Sequence, residues 1–183
     1  MDAIVKSGGR IAQAVGANFE AWLEGQHEKA KRLGILVHIE KTQARTAFIK
    51  GRLQYSGKGV ADYIGTLERG GRTLAVEAKS AKGDRLERSA IETKQAEHLD
   101  AVAHAGGLAL LLVEYRPDEV LPVRCAVPWL EVPWEVLRTA QSVATEAVLQ
   151  WQIARDPEGC YLERFHARGP RSFIPRQRVI ARD

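Results

Sequence analysis

The chain contains 183 residues, the usual size of one domain and enough to bury a hydrophobic core without disulfides or a structural metal. Hydrophobic residues make up 45% and charged residues 27% of the sequence, a composition that excludes a disordered or fibrous protein. The net charge is +4, and two cysteines, Cys125 and Cys160, are too few for a disulfide framework or a paired-cysteine zinc site. With no apolar run of roughly 20 residues and no apolar secretory core near the N-terminus, we expect one cytoplasmic domain over residues 1–183.

The first predicted elements are a helix, a strand and a basic segment. Apolar residues recur at helical spacing over about residues 9–33, and Gly34 ends the pattern. Residues 35–39 are rich in β-forming residues and predict a strand. The segment 41–58 contains no acid and predicts a long hairpin or protruding loop that contacts phosphates through Lys41, Arg45, Lys50, Arg52 and Lys58. A solvated loop is the alternative for this segment.

A hairpin is predicted next, because two β-prone runs are separated by Gly70 and Gly71. If these two glycines are the turn residues, Asp62 lies opposite Lys79. Side chains alternate along a strand, so Glu77 shares a face with Lys79 and lies diagonal to Asp62. The three side chains are therefore predicted to converge.

A helix is predicted after this hairpin. Ser89 and Glu92 match a capping box at its start, and the helix runs to about Ala105. Gln95 falls on its core-facing stripe, where an apolar residue is expected. A buried amide needs polar partners, and the acidic side chains of the neighbouring strand are candidates.

The remaining elements complete a mixed α/β pattern. The apolar run 108–113 predicts a strand covered on both faces, with the preceding helix as its crossover, and residues 123–127 predict another strand. An amphipathic pattern predicts an extra helix over residues 134–155. The Arg-rich tail, residues 164–183, predicts a second phosphate-contacting surface.

The predicted cluster of Asp62, Glu77 and Lys79 has the chemistry of a metal-dependent hydrolase. Two carboxylates at this spacing can share one divalent cation, and oxygen ligands suit Mg²⁺ or Mn²⁺, with the strand carbonyl of Ala78 as a third ligand. Such an ion polarises a phosphoryl oxygen and acidifies a water, while the lysine stabilises charge on the phosphate. An ordinary cross-strand ion-pair cluster is the alternative from these residues alone.

The ordered series of motifs resembles the RecU-type Holliday junction resolvases of the PD-(D/E)xK nuclease superfamily, over most of the chain to about Trp134. The shared features begin with a helical glutamate (Glu20), a basic stalk (residues 41–58) and an Asp-Tyr-x-Gly run (Asp62 to Gly65). They continue with a Glu-x-Lys strand (Glu77 to Lys79), a Gln-x-x-His-Leu helix (Gln95 to Leu99) and a weaker C-terminal match (Arg171 to Pro175). Two positions depart from the pattern. Ala61 stands where the superfamily name has proline, and Val60 stands where relatives often carry a hydroxyl residue.

The resemblance implies an α/β fold with a restriction-endonuclease-like mixed central sheet, flanking helices and a basic stalk. It assigns Asp62 and Glu77 as metal ligands, Lys79 as the catalytic lysine and Gln95 as a supporting amide. It also assigns Glu20 as an acid near the site and Arg171 in the tail as a DNA contact. It implies Mg²⁺ or Mn²⁺ as cofactor and four-way DNA as substrate, and two symmetric cuts suggest a homodimer. Two alternatives remain, a superfamily endonuclease that cuts ordinary duplex and a non-catalytic DNA-binding protein.

Overall fold

A five-stranded mixed sheet with helices against both faces forms the centre of this computed structural model. The structure describes residues 18–42, 45–49, 52–57, 59–117, 121–132, 142–153 and 159–166. Its helices are α1 (18–32), α2 (Thr93–His104) and the short α3 (Glu163–His166). Its strands are β1 (Leu36–Lys41), β2 (Arg45–Ile49), β3 (Arg52–Gly57), β4 (Tyr63–Leu67), β5 (Thr73–Lys82), β6 (Arg85–Glu87), β7 (Leu108–Arg116), β8 (Val123–Pro128) and β9 (Ser142–Ala144). Short 3-10 helices cover Arg69–Gly71, Arg88–Ala90, Trp129–Glu131 and Thr145–Trp151.

The central sheet has the strand order β1-β4-β5-β7-β8. Its neighbouring strands are antiparallel except β5 and β7, which are parallel. Parallel neighbours need a crossover connection, and α2 supplies it, as the sequence predicts. Residues Leu108–Tyr115 of β7 are all buried, which confirms a strand covered on both faces. The predicted mixed α/β fold is confirmed. Among the described residues, no helix is both long and apolar enough to cross a membrane.

The two long helices lie on opposite faces of this sheet. Gln95 of α2 bonds to Glu77 of β5. Ser80 is three residues further along β5, so its side chain points to the other face, and there it meets Glu114 of β7. Arg124 of β8 bonds to this glutamate at 2.8 Å, and its guanidinium lies 4.3 Å from the ring centroid of Trp22 in α1. The partly buried ion pair and the cation-π contact therefore place α1 on the face of the sheet opposite α2.

The basic segment contains a hairpin, one of the two shapes predicted for it. Strands β2 and β3 pair antiparallel from Arg45↔Gly57 to Ile49↔Arg52 and form a two-stranded sheet separate from the central one. Arg45 and Arg52 lie on these strands, whereas Lys50 and Lys58 lie outside the described residues. The hairpin leaves the central sheet after β1 and returns before β4.

The predicted two-residue turn at Gly70 and Gly71 is too short. The last ladder pair is Thr66↔Thr73, and the N–H of Leu67 still donates to the carbonyl of Arg72 at 2.8 Å. Four residues, 68–71, therefore make the turn. Both glycines do adopt positive φ, 76° and 59°, but as the end of a 3-10 turn that begins before them.

Two helix predictions need correction. The capping box of α2 is formed by Glu92 and Gln95 instead of Ser89 and Glu92, because residues 88–90 form a separate 3-10 turn. The extra helix over 134–155 is wrong wherever the structure describes it. Residues 142–144 are strand β9, paired with β6, and Thr145–Trp151 is a 3-10 helix. Residues 134–141, 154 and 155 lie outside the described residues.

The buried side chains of this last segment explain the error. Val143 is buried between two half-buried neighbours, which is the alternation of a strand. Thr145, Val148 and Trp151 are the buried residues of the next element, and their spacing of three is the repeat of a 3-10 helix. Among the described residues of the predicted stripe, Val143, Val148 and Trp151 are buried, but on two short elements instead of one amphipathic helix. Of the Arg-rich tail, only residues 164–166 are described, at the end of α3.

Candidate active site

Asp62 is held at the start of β4 by its backbone and its side chain together. Its N–H donates to the carbonyl of Val76 at 3.0 Å, and its carbonyl accepts from the N–H of Thr42 at 2.8 Å. Its carboxylate oxygen Oδ2 accepts from the N–H of Ala78 at 2.8 Å. The carboxylate of Asp62 is therefore oriented directly against strand β5.

The register of the hairpin differs from the prediction but keeps the same side chains together. Tyr63 pairs with Val76, whereas the predicted register would pair it with Ala78. The error is two residues, and a shift of two leaves every side chain on its original face. Asp62 precedes this first ladder pair, and its carboxylate lies close enough to Glu77 to raise the pKa of that group, so the predicted convergence of Asp62, Glu77 and Lys79 stands.

Glu77 is the centre of the cluster. Its side chain is 0% exposed, and its oxygen Oε1 lies 2.5 Å from Nζ of Lys79, whose side chain is 14% exposed. The same oxygen accepts from Nε2 of Gln95 at 2.6 Å. The other oxygen, Oε2, is buried and has no hydrogen-bond partner within the described part of the chain. An unpaired oxygen on a buried carboxylate is costly unless a ligand satisfies it.

Gln95 lies where its position on the core-facing stripe of α2 predicts, and both ends of its side-chain amide form hydrogen bonds. Oε1 accepts from the backbone N–H of Glu92 at 3.0 Å, while Nε2 donates to Glu77. The first bond closes the capping box of α2 and fixes which end of the amide faces the sheet. The helix start thereby orients a donor toward one oxygen of Glu77 and leaves the second oxygen free.

Burial raises the pKa of Glu77 to about 7. The loss of hydration is the largest cause, because a buried carboxylate loses the water that stabilises its charge. The carboxylate of Asp62 raises the pKa further by repulsion, and the ammonium of Lys79 opposes both effects. A carboxylate pair that resists ionisation in this way is stabilised by a bound cation.

This pKa predicts how the stability of the metal-free protein depends on pH. The folded state holds a proton on Glu77 up to a pKa of about 7, whereas the unfolded chain releases it near the ordinary glutamate pKa of 4.5. The free energy of unfolding should therefore fall as pH rises from about 4.5 to about 7, by roughly 2 to 3 kcal/mol from this group. Urea denaturation in EDTA at pH 5, 6, 7 and 8 measures the effect. Glu77→Gln should flatten the profile, and an unchanged slope in this variant would contradict the assignment.

A divalent cation fits the residues that meet here. In the described ranges no cluster of three or more His, Cys, Asp or Glu side chains forms, so the carboxylates that could hold a cation here are Asp62 and the free oxygen of Glu77. The N–H of Ala78 points to the side of Asp62, and in an extended strand the carbonyl of the same residue points to that side as well. Two carboxylates and one carbonyl leave room for water and phosphate oxygens, the ligand set that Mg²⁺ prefers.

Glu20 and Lys41, predicted to contact the site and DNA respectively, form an ion pair with each other. The ammonium of Lys41 lies 2.7 Å from Glu20 and 3.6 Å from Glu24, both on α1. The hydrogen bond to Glu20 is the main reason that the pKa of Lys41 is raised. Burial raises the pKa of Tyr63, which follows Asp62, to about 12, and the charge of Lys41 opposes this while Glu24 and Glu20 add to it. The pair therefore borders the site, although no described bond links it to Glu77. Arg171 lies outside the described residues.

Sequence reasoning missed Thr42, whose backbone and side chain both bond to the segment that carries Asp62. No local motif marks this threonine. Its position as the first residue after β1, at the beginning of the basic segment, was the available signal.

The fold and the site together define a nuclease of the PD-(D/E)xK type: a mixed sheet brings an aspartate at the start of one strand against a Glu-x-Lys sequence on the next. The family described as Recombination protein U, RecU, matches residues 28–161, and the chain belongs to this family. This match confirms the resemblance to RecU-type resolvases. It contains every predicted metal ligand as well as Lys79 and Gln95, but begins after Glu20.

The comparisons with individual proteins are more distant. No curated protein sequence matches the chain. Twelve chains of solved structures match it. One is the 1.6 Å structure of Archaeoglobus fulgidus Hjc, a Holliday junction resolvase from an archaeal hyperthermophile. It is 16% identical with a TM-score of 0.35, and the match covers 52% of this chain and 69% of that one.

Proposed function

We propose that this protein is a Mg²⁺- or Mn²⁺-dependent endonuclease that cuts four-way DNA junctions as a homodimer. The observation that carries the proposal is the asymmetric use of Glu77. One of its oxygens is taken by Lys79 and Gln95, while the other is buried without a described partner. An ordinary ion-pair cluster would not need the second oxygen to be free, whereas a cation site does.

Each side chain of the site has a separate task in this reaction. Asp62 and Glu77 would hold the cation together with the carbonyl of Ala78, and Gln95 would keep Glu77 in place. When bound, the cation supplies charge stabilisation at the phosphate and lowers the pKa of water. The side chain of Lys79 is 14% exposed, and its ammonium would donate to a phosphate oxygen as negative charge builds there.

DNA would be recognised mainly through its phosphates. Arg45 and Arg52 lie on the strands of the β2–β3 hairpin, and Lys50 and Lys58 belong to the same segment. Contacts of this kind position a backbone without reading its sequence, so the substrate is defined by branch shape, and affinity falls as salt rises. Arg171 extends the same proposal to the tail. Lys41 is a weaker candidate for a DNA contact because its charge is already shared with Glu20.

The homodimer follows from the substrate. A four-way junction is resolved by two symmetric cuts, and a two-fold dimer presents one active site to each of two opposing strands. A monomer that binds the junction would instead nick it once per encounter.

The test compares a synthetic four-way junction with linear duplex of the same sequence. With Mg²⁺ or Mn²⁺ we expect paired cuts in the junction and at least about tenfold slower cutting of the duplex, and EDTA should stop both reactions. Equal cutting of the two substrates would instead identify an endonuclease for ordinary duplex. Junction binding without cleavage under any metal would identify a DNA-binding protein and would overturn the proposal.

A further inference from the structure

Thr42 is the last described residue before the β2–β3 hairpin, and it bonds to the segment that leads into β4. Its N–H donates to the carbonyl of Asp62 at 2.8 Å, one pair beyond the end of the β1–β4 ladder. Its hydroxyl donates to the carbonyl of Ala61 and lies 3.3 Å from the carbonyl of Asp62. One threonine therefore holds two successive peptide groups on the segment that presents the candidate metal ligand.

The returning side of the hairpin segment packs against the same threonine. A Cβ atom placed on Gly59 would overlap the hydroxyl of Thr42 and would lie 3.1 Å from the carbonyl of Ala61. Only glycine lets the two chain segments approach this closely without displacing a neighbour. The beginning and the end of the hairpin segment thus meet directly beside the peptide groups that precede and include Asp62.

The carboxylate of Asp62 depends on this backbone. Its hydrogen bond from the N–H of Ala78 requires the main chain of Asp62 to stay at its present distance from β5. The N–H of Asp62 secures one side of that main chain on Val76, and Thr42 secures the other. A displacement of about 1 Å in a reacting group is enough to cost about 100-fold in rate.

We infer that Thr42 is a positioning residue for Asp62 and that Gly59 is required to seat it. The inference rests on the proposed function, because it takes Asp62 to be a metal ligand. Thr42 itself need not touch the metal or the DNA. Its effect is on the affinity of the carboxylate pair for the cation and, through that affinity, on turnover.

The experiment measures metal binding and cleavage separately in the full chain. Mn²⁺ affinity is determined without DNA by paramagnetic resonance for four variants. Thr42→Val and Gly59→Ala should bind Mn²⁺ about tenfold more weakly, as removal of a ligand-orienting partner typically does, whereas Thr42→Ser retains the hydroxyl and should bind within about twofold of the wild type. Thr66→Val is the matched control, because it removes a threonine hydroxyl within β4, four residues after Asp62.

Cleavage is then measured in single turnover on the four-way junction. Thr42→Val should cut about 10- to 100-fold more slowly at fixed, subsaturating Mg²⁺ and recover partly as Mg²⁺ is raised, while junction affinity in EDTA stays within about twofold. Thermal melts of all variants show which fraction is folded at the assay temperature. A purely structural role would lower Mn²⁺ binding only in proportion to that fraction.

Several outcomes would overturn the inference. They are wild-type Mn²⁺ affinity in Thr42→Val, a loss explained by unfolding, weaker junction binding with unchanged metal affinity, or a wild type that binds no Mn²⁺. The proposed function fails differently, through a wild type that binds Mn²⁺ but does not cut the junction. In that case the Mn²⁺ series still decides the role of Thr42.

Discussion

Replacing Asp62 by asparagine should reduce junction cleavage by more than about 1000-fold, because the change removes one of the two carboxylates proposed to hold the cation. The asparagine side chain has the same shape and can still accept the hydrogen bond from Ala78 through its oxygen. The fold should therefore survive, and the repulsion that helps to raise the pKa of Glu77 should disappear. Cleavage is measured in single turnover with saturating Mg²⁺.

The control for this variant makes the same chemical change elsewhere. Asp84→Asn lies in the exposed turn between β5 and β6, where its carboxylate is 4.0 Å from Arg85 and not near the site. It should cut at the wild-type rate. Junction binding in EDTA should be retained in both variants, because the phosphate contacts proposed for the hairpin do not involve either aspartate. Substantial cleavage by Asp62→Asn would remove this residue from the metal site and with it the basis for the proposed chemistry.

The convergence of Asp62, Glu77 and Lys79 was predictable because it depends only on which face of its strand each side chain occupies. The sequence-based turn at Gly70 and Gly71 was too narrow, and the resulting pairing of Asp62 with Lys79 was wrong by two residues. A two-residue error moves a side chain along a strand but never to the other face. An error of one residue would have turned Asp62 away from Glu77. The prediction thus survived its own mistake for a physical reason.

Gln95 was predictable for a different reason. A polar side chain on the apolar stripe of a helix must find partners, so its position pointed to the acidic strand below it. Its second role could not be predicted in the same way. The capping box was assigned to Ser89 and Glu92 by a standard spacing, but in the structure Glu92 is the N-cap residue and its backbone N–H donates to Gln95. Two capping patterns overlapped in the sequence, and tertiary contact with Glu77 favoured the later one.

The remaining failures concern interactions between distant parts of the chain. Residues 142–151 carry an apolar pattern that fits a helix, but pairing of Val143 with Leu86 draws the first part into a strand. Thr42 and Ala61 are joined across the hairpin segment, and their contact depends on the absence of a side chain at Gly59. Neither relation leaves a periodic trace in the sequence. Local patterns therefore predicted which side chains meet at the candidate site, whereas the contacts that hold them there were visible only in the fold.

Replacing Lys79 by methionine should slow junction cleavage by about 100- to 1000-fold, the usual effect of removing one donor that stabilises charge in a transition state. Methionine keeps much of the apolar stem, so the packing of this largely buried side chain is preserved. A second effect follows from the ion pair with Glu77. Because the ammonium of Lys79 lowers the pKa of Glu77, its removal raises that pKa further above its usual range. Cleavage by the variant should therefore require a higher pH than cleavage by the wild type.

The pH profile separates this role from simple loss of positive charge. Lys82→Met removes a lysine three residues further along β5, on the opposite face and exposed to solvent, and should leave both the rate and the pH dependence unchanged. Lys79→Arg keeps the charge but replaces a compact ammonium by a planar group, so the pH dependence should be largely restored while the rate remains low. A Lys79→Met variant that cuts like Lys82→Met would exclude the lysine from catalysis. One that is slow without any shift in its pH profile would show that Lys79 acts on the phosphate alone and does not control the ionisation of Glu77.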